Sequence, residues 1–239
     1  MAGKMRVLAM GAHPDDMEFL CGGTLARFAR DGHEVFIAHV SNGDRGSFRH
    51  QRAELAGIRR KEAIAAAAVI GATSLTAGIP DGDVANTVEN QRLVTEMIRQ
   101  ARPNLVIATD PNDYHGDHRA VGEMAIHCTF MATCPLYETP SAVMDKVPPI
   151  YFCDTSAGLG FQPTDWVDIS DVMETKVAMM RAHESQFQWL GERPEARDGI
   201  VGEYEAINRF RGIQCGVRYA EAFRVCPTRA RITPYRVLP

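Results

Sequence analysis

Apolar and polar positions alternate in blocks along the first two thirds of the chain. Short apolar and β-branched runs at residues 6–10, 34–40 and 105–109 predict strands. Between them, apolar residues recurring at helical spacing predict helices over 19–30, 52–70, 87–102 and 119–131. Their ends carry stop signals: Asp31-Gly32 after the first, Gly71 after the second, Pro103 after the third. Strands alternating with helices of this length are the mark of βαβ units and a parallel sheet with right-handed crossovers. The pattern breaks at 133–149, where prolines stand at 135, 140, 148 and 149. Beyond it, 150–153 and 166–169 read as short strands and 171 to about 189 as one helix. Ser170 is expected to cap that helix, with Asp171 and Glu174 in its first turn. Residues 191–199 are polar, contain Pro194 and read as a loop, and the chain is expected to end in proline-containing coil. The whole of 1–239 reads as one domain, a core over about 1–132 that 133–239 continues and completes.

Composition removes several classes of function. With 45% apolar and 23% charged residues over 239, the chain has the make-up of a globular domain large enough to need no disulfide or structural metal. Its formal charge of −4 argues against a nucleic-acid partner, which leaves a basic chain or block. No apolar run approaches the ~20 residues of a membrane span, and the N-terminal stretch has neither the apolar core nor the cleavage site of a secretory leader. The six cysteines are dispersed without CxxC spacing, as expected of reduced thiols filling core space in a cytoplasmic protein.

The polar chemistry gathers just past strand ends, where parallel sheets place their ligands. Residues 11–18, Gly-Ala-His-Pro-Asp-Asp-Met-Glu, follow the first strand. A proline and acids there also suit a plain helix start. Three acids and a histidine within six residues are costly, however, unless a cation sits among them. Residues 110–118, with His115, Asp117 and His118, follow the strand at 105–109 and repeat the arrangement. Together the clusters can offer a mixed set, His13, Asp16 and His118; hydrolytic zinc sites use three protein ligands and leave a fourth position open. The glycines of 41–47 permit unusual backbone angles and close approach of a ligand, but match neither a GxGxxG nor a Walker sequence. Gly22-Gly23 reads as close helix packing, Met173, Met179 and Met180 as core or interface, and His183 as structural or interface.

His13-Pro14-Asp15-Asp16-Met17-Glu18, Cys21-Gly22-Gly23-Thr24, Asn42-Gly43-Asp44-Arg45-Gly46, Arg59-Arg60-Lys61-Glu62, Pro80-Asp81-Gly82 and 115–122 together resemble the LmbE-like family, also called PIG-L or N-acetylglucosaminyl deacetylases. Further matches at 167–170, 183–186 and 219–223 are similar to its bacterial branch, so the resemblance runs nearly end to end. It implies a Rossmann-like, mostly parallel sheet flanked by helices, and a zinc-dependent hydrolase removing N-acetyl groups from amino sugars or their conjugates. His13, Asp16 and His118 then match the ligands of one zinc ion per chain, although three mixed N/O ligands also admit iron or cobalt. Asp15 matches the general base, His115 the histidine that stabilises the transition state, there in its protonated form, and Asp117 the acid that orients it. Arg59 matches a substrate contact, against a solvated charge pairing with Glu62; Asp81 is set to bind sugar hydroxyls, against a plain Pro-Asp-Gly turn. Gly116 departs from a proline common in the family and should loosen its loop. Several relatives form trimers or hexamers, and 204–223 carries aromatic and apolar groups suited to an interface. Specificity is expected in 133–149 and 191–202.

Three other readings remain. A dinucleotide-binding protein would need GxGxxG after the first strand. A non-catalytic metal- or sugar-binding module would not need Asp15 and His115. A metal-dependent phosphoesterase usually has more bridging carboxylates than can be placed here.

Overall fold

The computed structural model describes residues 3–191 and 199–231. Seven strands form one sheet: β1 (Arg6–Gly11), β2 (Glu34–Ser41), β3 (Thr73–Ile79), β4 (Leu105–Ala108), β5 (Ile150–Cys153), β6 (Asp165–Asp168) and β7 (Ala220–Val225). The helices are α1 (Asp16–Arg30), α2 (Arg52–Ala68), α3 (Val88–Ala101), α4 (Gly116–Met131), α5 (Met173–Arg181), α6 (Glu184–Gly191) and α7 (Gly199–Cys215). The strand order is β3-β2-β1-β4-β5-β7-β6. Strands β1 to β5 pair in parallel, while β7 runs antiparallel to both β5 and β6. The expected α/β architecture with a mostly parallel sheet is therefore present, closed at one edge by an antiparallel pair.

The period of two along β1 divides the core. Leu8 and Met10 join one apolar cluster with Val94, Met97 and Ile98 of α3 and Val121 and Met124 of α4. Val7 and Ala9 join the other, with Met17, Leu20 and Leu25 of α1 and Met179 of α5. Burial on both faces is what makes β1 a continuous apolar run. Met179 and Met180 are wholly buried, in keeping with packing roles. All six cysteines are free: four are buried, Cys134 is intermediate and Cys215 exposed.

Helix α1 is kinked at Cys21, whose backbone (φ −142°, ψ 16°) leaves the helical range. Just beyond the kink, the amides of Gly23 and Thr24 donate to the Glu221 carboxylate at 2.9 and 2.7 Å. Glu221 also accepts from Lys176 Nζ at 2.7 Å, and Lys176 donates to Asn208 at 2.9 Å. Lys176 and Glu221 are fully buried, so α1, α5, α7 and β7 meet at one internal ion pair. A Cβ on Gly23 would lie 2.7 Å from the Ile169 side chain, which accounts for glycine there by close packing.

Several expectations are corrected. Strands β3 and β7 and helix α7 were not anticipated. The single helix expected over 171–189 is two, α5 and α6, because His183 turns inward at the break and is completely buried. Ser170 does not cap α5; the N-cap is Val172. The Ser170 hydroxyl donates to Asp168 at 2.6 Å and accepts from the Tyr219 amide at 3.1 Å, joining β6 to β7. Part of the segment expected at an interface packs inward: Tyr204 lies against Phe19 with ring centroids 5.0 Å apart, and Asn208 and Arg211 are buried. Phe210 and Ile213 of α7 remain exposed. Among the described residues, no helix is long and apolar enough to cross a membrane. The loop expected at 191–199 and the terminal coil fall mostly on 192–198 and 232–239, outside the described residues, as does part of the 191–202 specificity segment.

Candidate active site

Strands β1 and β4 are neighbours from which the chain proceeds in opposite directions across the sheet, so a crevice opens at their carboxyl ends. The loop after β1 delivers His13, Asp15 and Asp16 to it, and the loop after β4 delivers Asp113, His115, Asp117 and His118.

The first loop is locked from within. Asp16 folds its carboxylate back to accept from the His13 amide at 2.7 Å. Asp15 holds φ 137°, ψ −26°, a conformation that costs on the order of 1–3 kcal/mol and persists only where neighbours impose it. Arg59 does so from α2: it is 2% exposed, donates to the Pro14 carbonyl at 2.5 Å and lies 3.1 Å from Asp15 Oδ2. It also donates to the Gly43 carbonyl at 3.3 Å. Gly43 has φ 66°, and a Cβ there would come within 2.6 Å of the Arg59 guanidinium. The group that closely approaches this glycine is thus an internal arginine. The solvated reading of Arg59 is excluded, and Glu62 instead accepts from the Ser185 amide and hydroxyl at 2.8 and 2.7 Å.

The three expected ligands converge. His118 Nε2 lies 3.2 Å from Asp16 Oδ1 and 3.3 Å from His13 Nδ1, and His13 Nδ1 lies 3.6 Å from Asp16 Oδ2. Tetrahedral zinc with bonds of 2.0–2.2 Å places its ligand atoms roughly 3.3–3.6 Å apart; the two ring nitrogens stand at that spacing, while Asp16 meets His118 with Oδ1 and His13 with Oδ2, so the donors fit such an ion in kind. Two imidazole nitrogens facing each other in a buried setting also call for a proton or a cation between them. His13 is shared by two wider groups within 4.8 Å, one with His115 and His118 and one with Asp81 and Asp117. Asp81 Oδ1 stands 3.2 Å from His13 Nε2, so this residue faces the cluster and is more than a turn. Its amide donates to Asp44 at 3.1 Å.

Charge follows this geometry. Burial pushes the Asp15 carboxyl above its ordinary value, with adjacent Asp16 adding to the shift and Arg59 opposing it. Burial works against ionisation of Asp16, yet His118 and His13 hold it well below the usual range. Asp16, with help from Asp113, raises His118 to about 9 against the cost of its burial. His115 moves the other way, lowered by burial and then by the charges on His13 and His118.

His115 differs from expectation in state and in partner. It is the N-cap of α4, and its Nδ1 accepts from the Asp117 amide at 3.2 Å. An accepting Nδ1 leaves Nε2 to carry the ring's N–H. Burial, the charges on His13 and His118 and a helix N-terminus all disfavour the protonated ring that the resemblance implies. Asp117 meets His115 through its backbone, while its carboxylate accepts from Gly82 N at 2.8 Å and stands 3.3 Å from His13 Nε2.

Behind Asp15 lies a buried group that sequence reading did not assemble. Glu18 Oε1 is 3.4 Å from His183 Nε2 and Glu18 Oε2 is 3.5 Å from His39 Nε2. Glu18 is held well below its ordinary range by these two rings. The structural role expected of His183 is thus a buried ion pair that seats the start of α6.

Gly116 is the first residue of α4, preceded by His115 at φ −81°, ψ 130°, a conformation that suits a residue before proline. Its Cβ would meet only Arg119, at 3.9 Å. The first N–H of a helix has no partner within it. Gly116→Pro is therefore expected to stabilise the protein by about 0.4–1 kcal/mol, measurable as a higher urea midpoint with unchanged slope.

Residues 8–129 match the family model "PIG-L: GlcNAc-PI de-N-acetylase". The diacetylchitobiose deacetylase of Thermococcus kodakarensis is 30% identical over 235 residues, covering 93% of this chain and 83% of that one. The 4-oxalmesaconate hydratase of Pseudomonas putida is 24% identical over 189 residues, covering 75% and 73%. Among solved structures, N,N'-diacetylchitobiose deacetylase from Pyrococcus horikoshii, complexed with its inhibitor MPG, superposes with a TM-score of 0.80 at 29% identity, covering 92% of this chain and 83% of that one. Matching over half the chain in sequence and nearly all of it in fold, the protein belongs to the PIG-L (LmbE-like) family and is an enzyme of its deacetylase class, a hydrolase of C–N amide bonds.

Proposed function

We propose that the protein removes the N-acetyl group of an amino sugar or sugar conjugate, with one zinc ion held by His13, Asp16 and His118. The observation that carries this reading is the facing pair of imidazole nitrogens of His13 and His118, each contacted by one oxygen of Asp16, beside a buried Asp15 of raised pKa. Bound there, zinc supplies Lewis acidity toward a water and toward the acetyl carbonyl. Asp15 takes a proton from the attacking water and returns it to the sugar nitrogen as the C–N bond breaks, giving acetate and a free amine. His115 donates its Nε2 proton in a hydrogen bond to the carbonyl oxygen as charge gathers there. Arg59 favours the ionised form of Asp15 and aims it, and Asp117 bridges the ligand cluster to the loop holding Gly82. Asp81, at the open side with its side chain 16% exposed, is placed to accept a sugar hydroxyl.

The test is an acetate-release screen of zinc-loaded protein against a panel of N-acetylated sugars. Release from at least one is expected; hydration of an unsaturated dicarboxylate with no acetate from any sugar would move the chain to the side of the hydratase relative. Metal analysis checks the ligand set separately. Wild type should carry about one zinc per chain, and the His13→Ala, His118→Ala double variant almost none. Stoichiometric metal surviving in that variant would rule out this site.

A further inference from the structure

We propose that Asp113, in the loop after β4, is the positioning residue that fixes which nitrogen of His118 faces the metal. The inference rests on the metal-dependent reading above. Asp113 is 2% exposed. Its Oδ2 stands 3.3 Å from His118 Nδ1, an ion-pair contact, and that buried ring nitrogen makes no hydrogen bond to any other group among the described residues. The opposite ring nitrogen, Nε2, is the one that meets Asp16 and His13. A carboxylate on one side of an imidazole holds the proton there and leaves the other nitrogen's lone pair free, raising its strength as a ligand.

Asp113 is itself held in place, which lets it impose that orientation. Its Oδ1 accepts from the His115 amide at 2.9 Å, and its Oδ2 from the Ser156 amide at 3.2 Å in the segment after β5. Its own amide donates to the Asp110 carbonyl at 3.0 Å. One buried carboxylate therefore sets the ring of a ligand and seats the backbone of His115, two positions C-terminal to it. Neither role can be taken by the neighbouring acid: Asp110 spends its carboxylate on Arg224 and on Asn112.

Zinc affinity, measured by competition with a chromophoric chelator, reads this role without reference to turnover. Asp113→Ala should weaken zinc by about 10- to 100-fold. Asp113→Asn, which keeps one acceptor where two are needed, should fall between it and wild type. Asp110→Asn perturbs the same loop without touching His118 and should stay within about threefold of wild type. A second measurement needs no variant. In the zinc-loaded protein, nitrogen-15 NMR of the imidazoles should place the His118 proton on Nδ1. A proton on Nε2 there, or zinc affinity in folded Asp113→Ala equal to wild type, would overturn the assignment. Equal losses in Asp110→Asn and Asp113→Ala would overturn it too, since loop disruption would then suffice. Wild type that binds no zinc would sink the parent reading and this one with it; tight binding indifferent to Asp113 sinks this one alone.

Discussion

Asp15→Asn is expected to yield folded, metal-replete protein whose turnover is lower by about 10²- to 10⁴-fold. The substitution is conservative in each respect but one. Asparagine is nearly the size of aspartate and is among the few residues that tolerate positive φ, so the backbone at φ 137° is retained. Its amide oxygen can still accept from Arg59, which stands 3.1 Å from Asp15 Oδ2. It cannot take a proton. The neighbouring Asp16, the proposed ligand, is untouched, so zinc content should stay at the wild-type level. His115→Ala removes a hydrogen bond to the developing oxyanion and should cost about 10²- to 10³-fold. Because both groups serve one transition state, the double variant should lose less than the product of the single losses. Full turnover in metal-replete Asp15→Asn would refute the base assignment even with deacetylation established.

The largest stability effect is expected outside the proposed metal ligands. Glu221→Ala strips the partner from a fully buried lysine and the acceptor from two amides at the α1 kink. Breaking a buried pair by removing one member costs roughly 3–5 kcal/mol, because the remaining charge has no water to turn to. For a chain of this size that corresponds to a fall in melting temperature of about 6–20 °C. Lys176→Met in the Glu221→Ala background should recover part of the loss, by deleting the stranded charge. The amides of Gly23 and Thr24 would still lack an acceptor, so recovery should be incomplete. A melting temperature within a degree or two of wild type for Glu221→Ala would show that water reaches the site and that the pair is not what holds the kink.

What could be read from the sequence was whatever is written locally. The loops after β1 and β4 stood out because an apolar run gives way at once to histidines and acids, and the sheet brings those loops together. Partnerships across the fold left no such trace. Strand β7 carries Glu221 and Arg224, charges that look like solvent-facing positions until Lys176 and Asp110 are placed opposite them. Strand β3 pairs only with β2, and six of its seven residues are at least partly exposed, which blurs the alternation of a half-buried strand. The break between α5 and α6 falls at Ala182-His183 with neither glycine nor proline to mark it; burial of His183 against Glu18 sets it. Arg59 reads from sequence as a substrate contact or a surface charge, and its burial under the loop bearing Asp15 excludes the second. Asp113 was visible as a letter in an acidic loop, but its partner ring lies on the next helix.

The hydrogen bond from Gly23 to Glu221 joins residues 198 positions apart. Synthesis runs from the N-terminus, so the loop bearing His13, Asp15 and Asp16 emerges well before the Glu221 carboxylate that the helix behind it bonds. A nascent chain halted after α7 has every proposed metal and catalytic residue and lacks the strand that completes their support. Support of the proposed site is thereby tied to the presence of β7, and truncation before residue 220 should silence the enzyme while leaving every proposed catalytic side chain in the sequence.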